Sequence, residues 1–370
     1  RRKTLWVIFY FGLTSQALFR DKMSDFIIKR LVGYILTVFV FSSVFFYLLV
    51  IYWPQPEQNE PVKVVIEKGS TLNDIASTLY ASGIIRGSKP FVLATRMMGY
   101  ETDIKAGTFH LRNAASNHSI IRQLVEGTPV YHKVTIPEGS RLEEIAAVLK
   151  SELDIDVAEF LKMCRSSEIA KNLDLPGPTL EGYLFPETYF FTEEITAEEI
   201  IGKMTKQYRK IMNNETLDLA KERGFSELEL VTLASIIEGE AVLDDERKTI
   251  SAVYHNRLNR EMKLQADPTL QFIHGDGPKR LSNKDKKIDS PYNTYLYEGL
   301  PPGPINSPGE ASVWAALNPA DVDYLFFVAK GDDSHVFSRT EKEHLNAKRE
   351  FDKIRRHVSR ERQKRGKGIN

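Results

Sequence analysis

The sequence has almost no cysteine: of 370 residues only Cys164 carries a thiol, which excludes an intramolecular disulfide and any cysteine-rich metal site. It also lacks an excess of either charge. Lysine plus arginine and aspartate plus glutamate each number 50, so no long-range field gathers nucleic acid or a strongly acidic polymer, and nucleic acid is not an expected partner. Standard zinc spacings are missing too. His335, Phe337 and His344 read as packing residues, and neither a metal nor a cofactor is expected. One stretch lacks charge altogether: Leu31 to Tyr52 (LVGYILTVFVFSSVFFYLLVIY) contains no acid or base over the roughly 20 residues that a membrane-spanning helix needs.

The flanks of that stretch give it a direction. Arg20, Lys22, Lys29 and Arg30 precede it, whereas residues 53–61 hold acids but no Lys or Arg, which predicts a cytoplasmic N-terminus and a single pass through the cytoplasmic (inner) membrane, with the rest of the chain outside. The exit sequence IYWPQPE offers no small-x-small cleavage site, so the span is expected to stay as an anchor. Upstream, Leu5 to Phe19 is apolar but short for a span. Met23 opens MSDFIIKR as a plausible natural start, which makes residues 1–22 read as an upstream extension; a second span would place the bulk of the chain in the cytoplasm.

Beyond the anchor, 42% hydrophobic and 27% charged residues allow more than one core. Residues 53–61 (WPQPEQNEP) read as a Pro-rich polar tether. An internal repeat follows: KVVIEKGSTLNDIASTL at Lys63 to Leu79 and KVTIPEGSRLEEIAAVL at Lys133 to Leu149, matched on Gly69 and Gly139. Each copy predicts a strand, a Gly-Ser turn and an amphipathic helix, with Ser70 and Ser140 as caps and a capping box from Ser140 to Glu143. The unit can be a plain α/β packing element, and it also resembles the LysM module, a β-α-α-β fold that binds N-acetylglucosamine-containing glycans. Further on, Glu193 to Arg223 is amphipathic and helical, Tyr324 to Ala329 reads as a buried strand, and the basic residues 355–370 read as a helical tail.

Chemistry concentrates in three segments. In SELELVTLASIIEGEA, Ser226 and Glu229 form a capping box, and the run from Leu228 to Ile237 is apolar on every face, as in a helix through the middle of a domain. Glu238 ends that run. Partial desolvation and the negative end of the helix dipole both favour its neutral form there, which suits a proton donor; the alternative is an acid turned outward where the helix stops. Glu240 follows the same logic more weakly, since Gly239 reads as the helix end. In AVYHNRLNREMKLQADPTLQF, Tyr254, Asn256, Arg257, Gln265, Asp267 and Thr269 either hydrogen-bond sugar hydroxyls and acetamido groups or cap and staple loops. In SPYNTYLYEGLPPGPINSPG, Tyr292, Asn293 and Tyr295 look like a stiff wall for a saccharide, or a structural Pro-rich loop; EGYLFPETY adds Glu181, Tyr183 and Tyr189.

Taken in order, EGYLFPETY, LASIIEGEA, NRL with LQADPT, SPYNTYLYEGLPPGPI and ALNPADVDYLFFVAKGDDSHVFSRTEKEH resemble the YceG-like endolytic murein transglycosylases, the MltG type, from the span to about His344. The family's essential glutamate lies in its ASI[I/V]E motif, which matches Glu238; Gly239 stands where members more often have a basic residue. The resemblance implies a lyase that breaks the bond between N-acetylmuramic acid and N-acetylglucosamine without water, leaving 1,6-anhydro ends. It implies peptidoglycan strands as substrate, peptidoglycan synthases (penicillin-binding proteins) as neighbours, and Glu181, Tyr183, Tyr189, Glu240, Asn256, Gln265, Asp267, Thr269, Tyr292, Asn293 and Tyr295 as strand-holding residues. The expected architecture is α+β: an N-terminal single transmembrane helix (31–52), a small LysM-like α/β module (62–131), and a larger mixed α+β catalytic domain (132–354) with the second repeat in 132–174. A non-catalytic wall-binding scaffold and a lysozyme-type hydrolase are the rival readings.

Overall fold

A computed structural model describes residues 2–56, 60–112, 115–153, 155–275, 279–351 and 353, with side chains from residue 26 onward. The expected tail, 355–370, lies outside the described residues. The chain forms two units, residues 1–130 with 192–194, and residues 131–191 with 195–370.

The first unit begins with helix α1, Arg2–Ile51. Between Phe26 and Ile51 it is long and apolar enough to cross a membrane. Its large side chains there, such as Phe39 and Phe41, are exposed along the shaft, and only Val50 and Ile51 at its end are buried. The two apolar stretches of the sequence are therefore one continuous helix, with no reversal between Arg2 and Ile51. Behind it come β1 (Val62–Ile66), α2 (Leu72–Ala81), α3 (Ser88–Met98), β2 (Gly107–Leu111) and α4 (Asn117–Glu126). β1 and β2 pair antiparallel, Val62 opposite Leu111 through Ile66 opposite Gly107. Val64, Ile66, Leu79, Phe91, Leu111 and Ile120 fill the core between this ribbon and the helices.

The first half of the expected tether is part of this unit rather than a free linker. Gln55 donates from Nε2 to Asn117 Oδ1 (2.7 Å) and accepts at Oε1 from the Arg86 N–H (2.8 Å). Asn117 in turn donates from Nδ2 to the carbonyl of Val50 at the end of α1 (2.9 Å). Both amides are buried, and buried amides hold position only when their hydrogen bonds are met, so the end of α1 is tied to α4. Residues 57–59 lie outside the described residues.

The second unit opens with the other copy of the repeat, β3 (His132–Thr135) and α5 (Leu142–Leu153), followed by α6 (Val157–Cys164) and α7 (Ser167–Asn172). β3 pairs antiparallel with β4 (Thr188–Phe191), His132 opposite Phe191 through Thr135 opposite Thr188. In both copies the glycine takes a left-handed φ, +82° at Gly69 and +75° at Gly139, which only glycine adopts without strain. The caps fall one residue later than the sequence suggests. Thr71 with Asp74 forms the capping box of α2, and in the second copy Glu144, not Glu143, accepts the Arg141 N–H (2.9 Å) while Ser140 Oγ turns back to the Pro137 carbonyl. The serines are still completing the glycine turn when the helix begins.

The amphipathic stretch after β4 is two helices, α8 (Ala197–Ile211) and α9 (Asn214–Glu222), because Asn213 caps a new start. At the centre stands α10 (Glu227–Glu240), with the Ser226/Glu229 capping box formed and every side chain from Leu230 to Ile237 buried. α9, α11 (Arg247–Leu258), α12 (Asp267–His274) and α13 (Glu310–Leu317) pack around it. Gly239 does not end α10: the helix runs on to Glu240 and stops as Ala241 turns extended. The strand expected at Tyr324 to Ala329 is β5 (Phe326–Ala329), paired among the described residues with β6 (His335–Ser338) alone and half-buried rather than fully enclosed.

Candidate active site

Glu238 lies on the last turn of α10, with its side chain 7% exposed. Three donors converge on its Oε2: Arg247 Nη1 from α11 (3.1 Å), the Ser312 hydroxyl from α13 (2.7 Å) and the Gly309 N–H at the start of α13 (3.0 Å). Arg247 is equally buried; it also donates to Ser312 Oγ and, through Nη2, to Asp244 Oδ1 (2.8 Å). Among the described residues no hydrogen bond is made by Oε1. The negative end of α10 is thus faced by the positive end of α13 and by a guanidinium, neither of which the sequence announced.

Sequence reasoning missed Glu138. The turn between β3 and α5 is pinned to the Pro-rich loop by Gly139 N–H to Ser307 O and Ser307 N–H to Ser140 O, 2.9 Å each. That pinning sets the Glu138 carboxyl against Gly309, so close that a Cβ on Gly309 would fall 2.1 Å from its Cδ, and sets Gly139 beside the Glu238 side chain. Burial, and then the negative charge of Glu238, hold the Glu138 carboxyl above the usual range. The one sequence signal was the repeat itself: Glu138 stands where the first copy has Lys68.

On the other side of Gly239 opens a cavity of about 330 Å³, lined by Arg141, Glu240, Asp267, Gln271, Phe272 and Asn306 among others. Gly239 leaves no room for a larger residue, because a Cβ there would lie 2.7 Å from the Pro268 ring. Glu240 accepts from Tyr254 Oη (3.1 Å), and burial, followed by the charge of Asp267, pushes its carboxyl up to about 7. Asp267 is exposed and accepts from the Tyr295 hydroxyl, whose ring lies under Lys286 Nζ (4.4 Å). Gln265 is exposed two residues before Asp267, with φ +50° and its N–H on the Thr294 carbonyl (3.0 Å), and does not line the cavity. Tyr292 is half-buried and tilted on Phe272, ring centroids 4.9 Å apart.

The other expected strand-holding residues are placed as structure. Asn256 gives both of its amide hydrogens to the carbonyls of Val322 (2.8 Å) and Tyr324 (2.9 Å). Asn293 is fully buried and holds the Ile288 carbonyl (2.7 Å) and the Tyr295 N–H (2.9 Å), fixing the curve of its loop. Thr269 is buried against Thr294 (3.0 Å). Tyr183 and Tyr189 lie in the core, the first packed edge-on against Tyr208 and the second donating to the Phe185 carbonyl (2.6 Å), so neither presents a face to a sugar. Glu181 is buried behind them with Oε1 unpartnered, and burial pushes its carboxyl up to about 8. His335 pairs with Glu246 (2.7 Å) and His344 stacks on Phe326, while no group of metal-binding side chains forms among the described residues.

Comparison with known proteins supplies what geometry alone does not. The profile of the YceG-like family matches residues 64–350. A protein of Bacillus subtilis named endolytic murein transglycosylase is 36% identical over 316 residues, covering 80% of this chain and 86% of its own length. A Streptococcus pneumoniae protein of the same name is 31% identical over 327 residues; the match takes in 78% of this chain but only 59% of that longer protein. Among solved structures, a yceG-like protein of Listeria monocytogenes superposes with a TM-score of 0.54 at 34% identity, covering 78% of this chain and 99% of that one.

Proposed function

Because this chain belongs to the YceG-like family, we propose that it is an endolytic murein transglycosylase in which Glu238 moves the proton. The reading rests above all on the asymmetric setting of Glu238: with Oε2 engaged by three donors, a proton on this carboxyl is confined to Oε1, the oxygen left to address a ligand.

From that position one carboxyl can serve both halves of the reaction. Protonated at Oε1, it gives its proton to the glycosidic oxygen as the bond to the muramic acid C1 breaks, and the acetamido carbonyl of the same sugar takes up the positive charge. The resulting carboxylate, steadied by Arg247 and the start of α13, then removes the proton of the 6-hydroxyl as that oxygen closes on C1. The products are a free 4-hydroxyl on one fragment and a 1,6-anhydro ring on the other. No water enters. A second nucleophilic carboxylate is not required, in contrast to ordinary retaining glycosidases.

The cavity beside Gly239 is the place for a neighbouring sugar, with Glu240 and Asp267 as hydroxyl partners and Phe272 with Tyr292 as an aromatic floor. Tyr295 acts through Asp267. Glu181, Tyr183, Tyr189, Asn256, Thr269 and Asn293 support these walls from behind. In the first unit the order β1-α2-α3-β2 supports a LysM-like glycan-binding role for residues 62–131. The apolar part of α1 serves as a single-pass anchor in the cytoplasmic membrane with the catalytic unit outside, near the peptidoglycan synthases whose nascent strands it would cut.

Replacing Glu238 by Gln tests the assignment. The full chain in detergent, given purified glycan strands, is expected to release anhydro-ended fragments, and the E238Q form to release at least about 10³-fold fewer. Undiminished release from E238Q would remove Glu238 from the mechanism.

A further inference from the structure

We propose that Glu138 is a positioning residue for the reaction, the negative charge that keeps Glu238 able to carry the proton it must donate. The inference rests on the reading of Glu238 as the acid. The groups on Glu238 come from two directions: Arg247 from α11, itself paired with the exposed Asp244, and the Ser312 hydroxyl and Gly309 N–H from α13; Glu138 stands on a third side, on the turn after β3, with the charge of Glu187 near it. Arg247, Ser312 and Gly309 all favour the carboxylate. Asp244 is spent on Arg247, to which it is directly paired (2.8 Å), so Glu138 is the acid free to oppose that bias.

Among the described residues the Glu138 carboxyl makes no hydrogen bond; burial and then the charges of Glu238, Arg247, Asp244 and Glu187 act on it. The turn does not need an acid for its shape, since the first repeat makes the same glycine turn with Lys68 in that position. Two like charges held together by a pinned turn cost stability, and each makes the other easier to protonate. Glycine at 309 is what lets them meet: its φ of −74° suits any residue, but a methyl group would occupy the space of the Glu138 carboxyl.

The test is the pH dependence of strand cleavage by the full chain in detergent for wild type, Glu138→Gln, Glu138→Asp and Gly309→Ala, with the folded state of each checked by thermal unfolding. For Glu138→Gln the alkaline limb is expected to move down by about one pH unit, so that activity falls about tenfold above neutrality but stays within about twofold of wild type in acid. Glu138→Asp is expected to restore much of the limb, and Gly309→Ala, which keeps the charge but displaces it, to shift the limb in the same direction as Gln. A limb that stays in place in Glu138→Gln, or an equal loss at every pH with a raised KM, would overturn the proposal, the latter by making Glu138 a substrate contact. If wild type itself formed no anhydro ends, the failure would lie in the activity assigned above and not in the role of Glu138.

Discussion

A carboxyl that the fold buries with one oxygen unpartnered reports itself through pH. Glu181 has that character: 8% exposed, Oε1 unpartnered, and raised from an ordinary 4.5 to about 8 by burial and then by Glu143. Because its pKa is higher in the folded than in the unfolded chain, its contribution is fully present below about 4.5, is eroded as pH rises, and is gone above about 8. Glu181→Gln should therefore flatten the decline in melting temperature between those limits and melt higher than wild type at pH 8.5 or so; identical slopes for the two would contradict the assignment. Single residues were unevenly legible in the sequence. Glu238 stood out because it ends an all-apolar helical run and matches the glutamate of the ASIIE segment. Glu138 did not stand out, since the place of its carboxyl depends on a loop more than a hundred residues downstream folding back onto its turn. Asn256, Asn293 and Thr269 illustrate the opposite error, because the side chains that hydrogen-bond sugars are also those that staple loops, and only the partner's coordinates tell the two apart.

Helices were readable in type and centre, less so at their ends. The period of α10 and its Ser226/Glu229 box fixed where it starts, but Gly239 suggested a stop that does not occur, because the helix continues against α12 and glycine is there for clearance. Gly239→Ala should gain about 1 kcal/mol of helix propensity and lose more to the Pro268 ring, for a net destabilisation of about 1–2 kcal/mol. Thermal unfolding would show a lower midpoint; an unchanged or higher one would mean that α12 yields freely. Ser226→Ala, at the other end, removes a formed cap and should cost about 1 kcal/mol without changing the pH profile of cleavage. The strand β5 was misjudged for a related reason: an apolar run predicts burial on both faces, and a two-stranded ribbon can cover only one.

For the molecule as a whole, a long apolar helix near the N-terminus was legible from hydropathy, whereas the join between that helix and the rest of the first unit was not. A Pro-rich polar stretch reads as a linker, and its amides gave no sign that Gln55 and Asn117 would tie it to the end of α1. The chain should stay with membranes after carbonate washing, and protease added outside right-side-out vesicles should reach residues beyond 60. Protection of those residues would reverse the proposed orientation. The central claim is that the glycosidic bond is exchanged for an internal ether with no water consumed. Digestion of purified glycan strands by the full chain in water enriched in heavy oxygen, followed by mass spectrometry of the new ends, tests it most directly. Anhydro-ended fragments without label are the predicted result; reducing ends carrying heavy oxygen would make the enzyme a hydrolase and contradict the single-carboxyl mechanism.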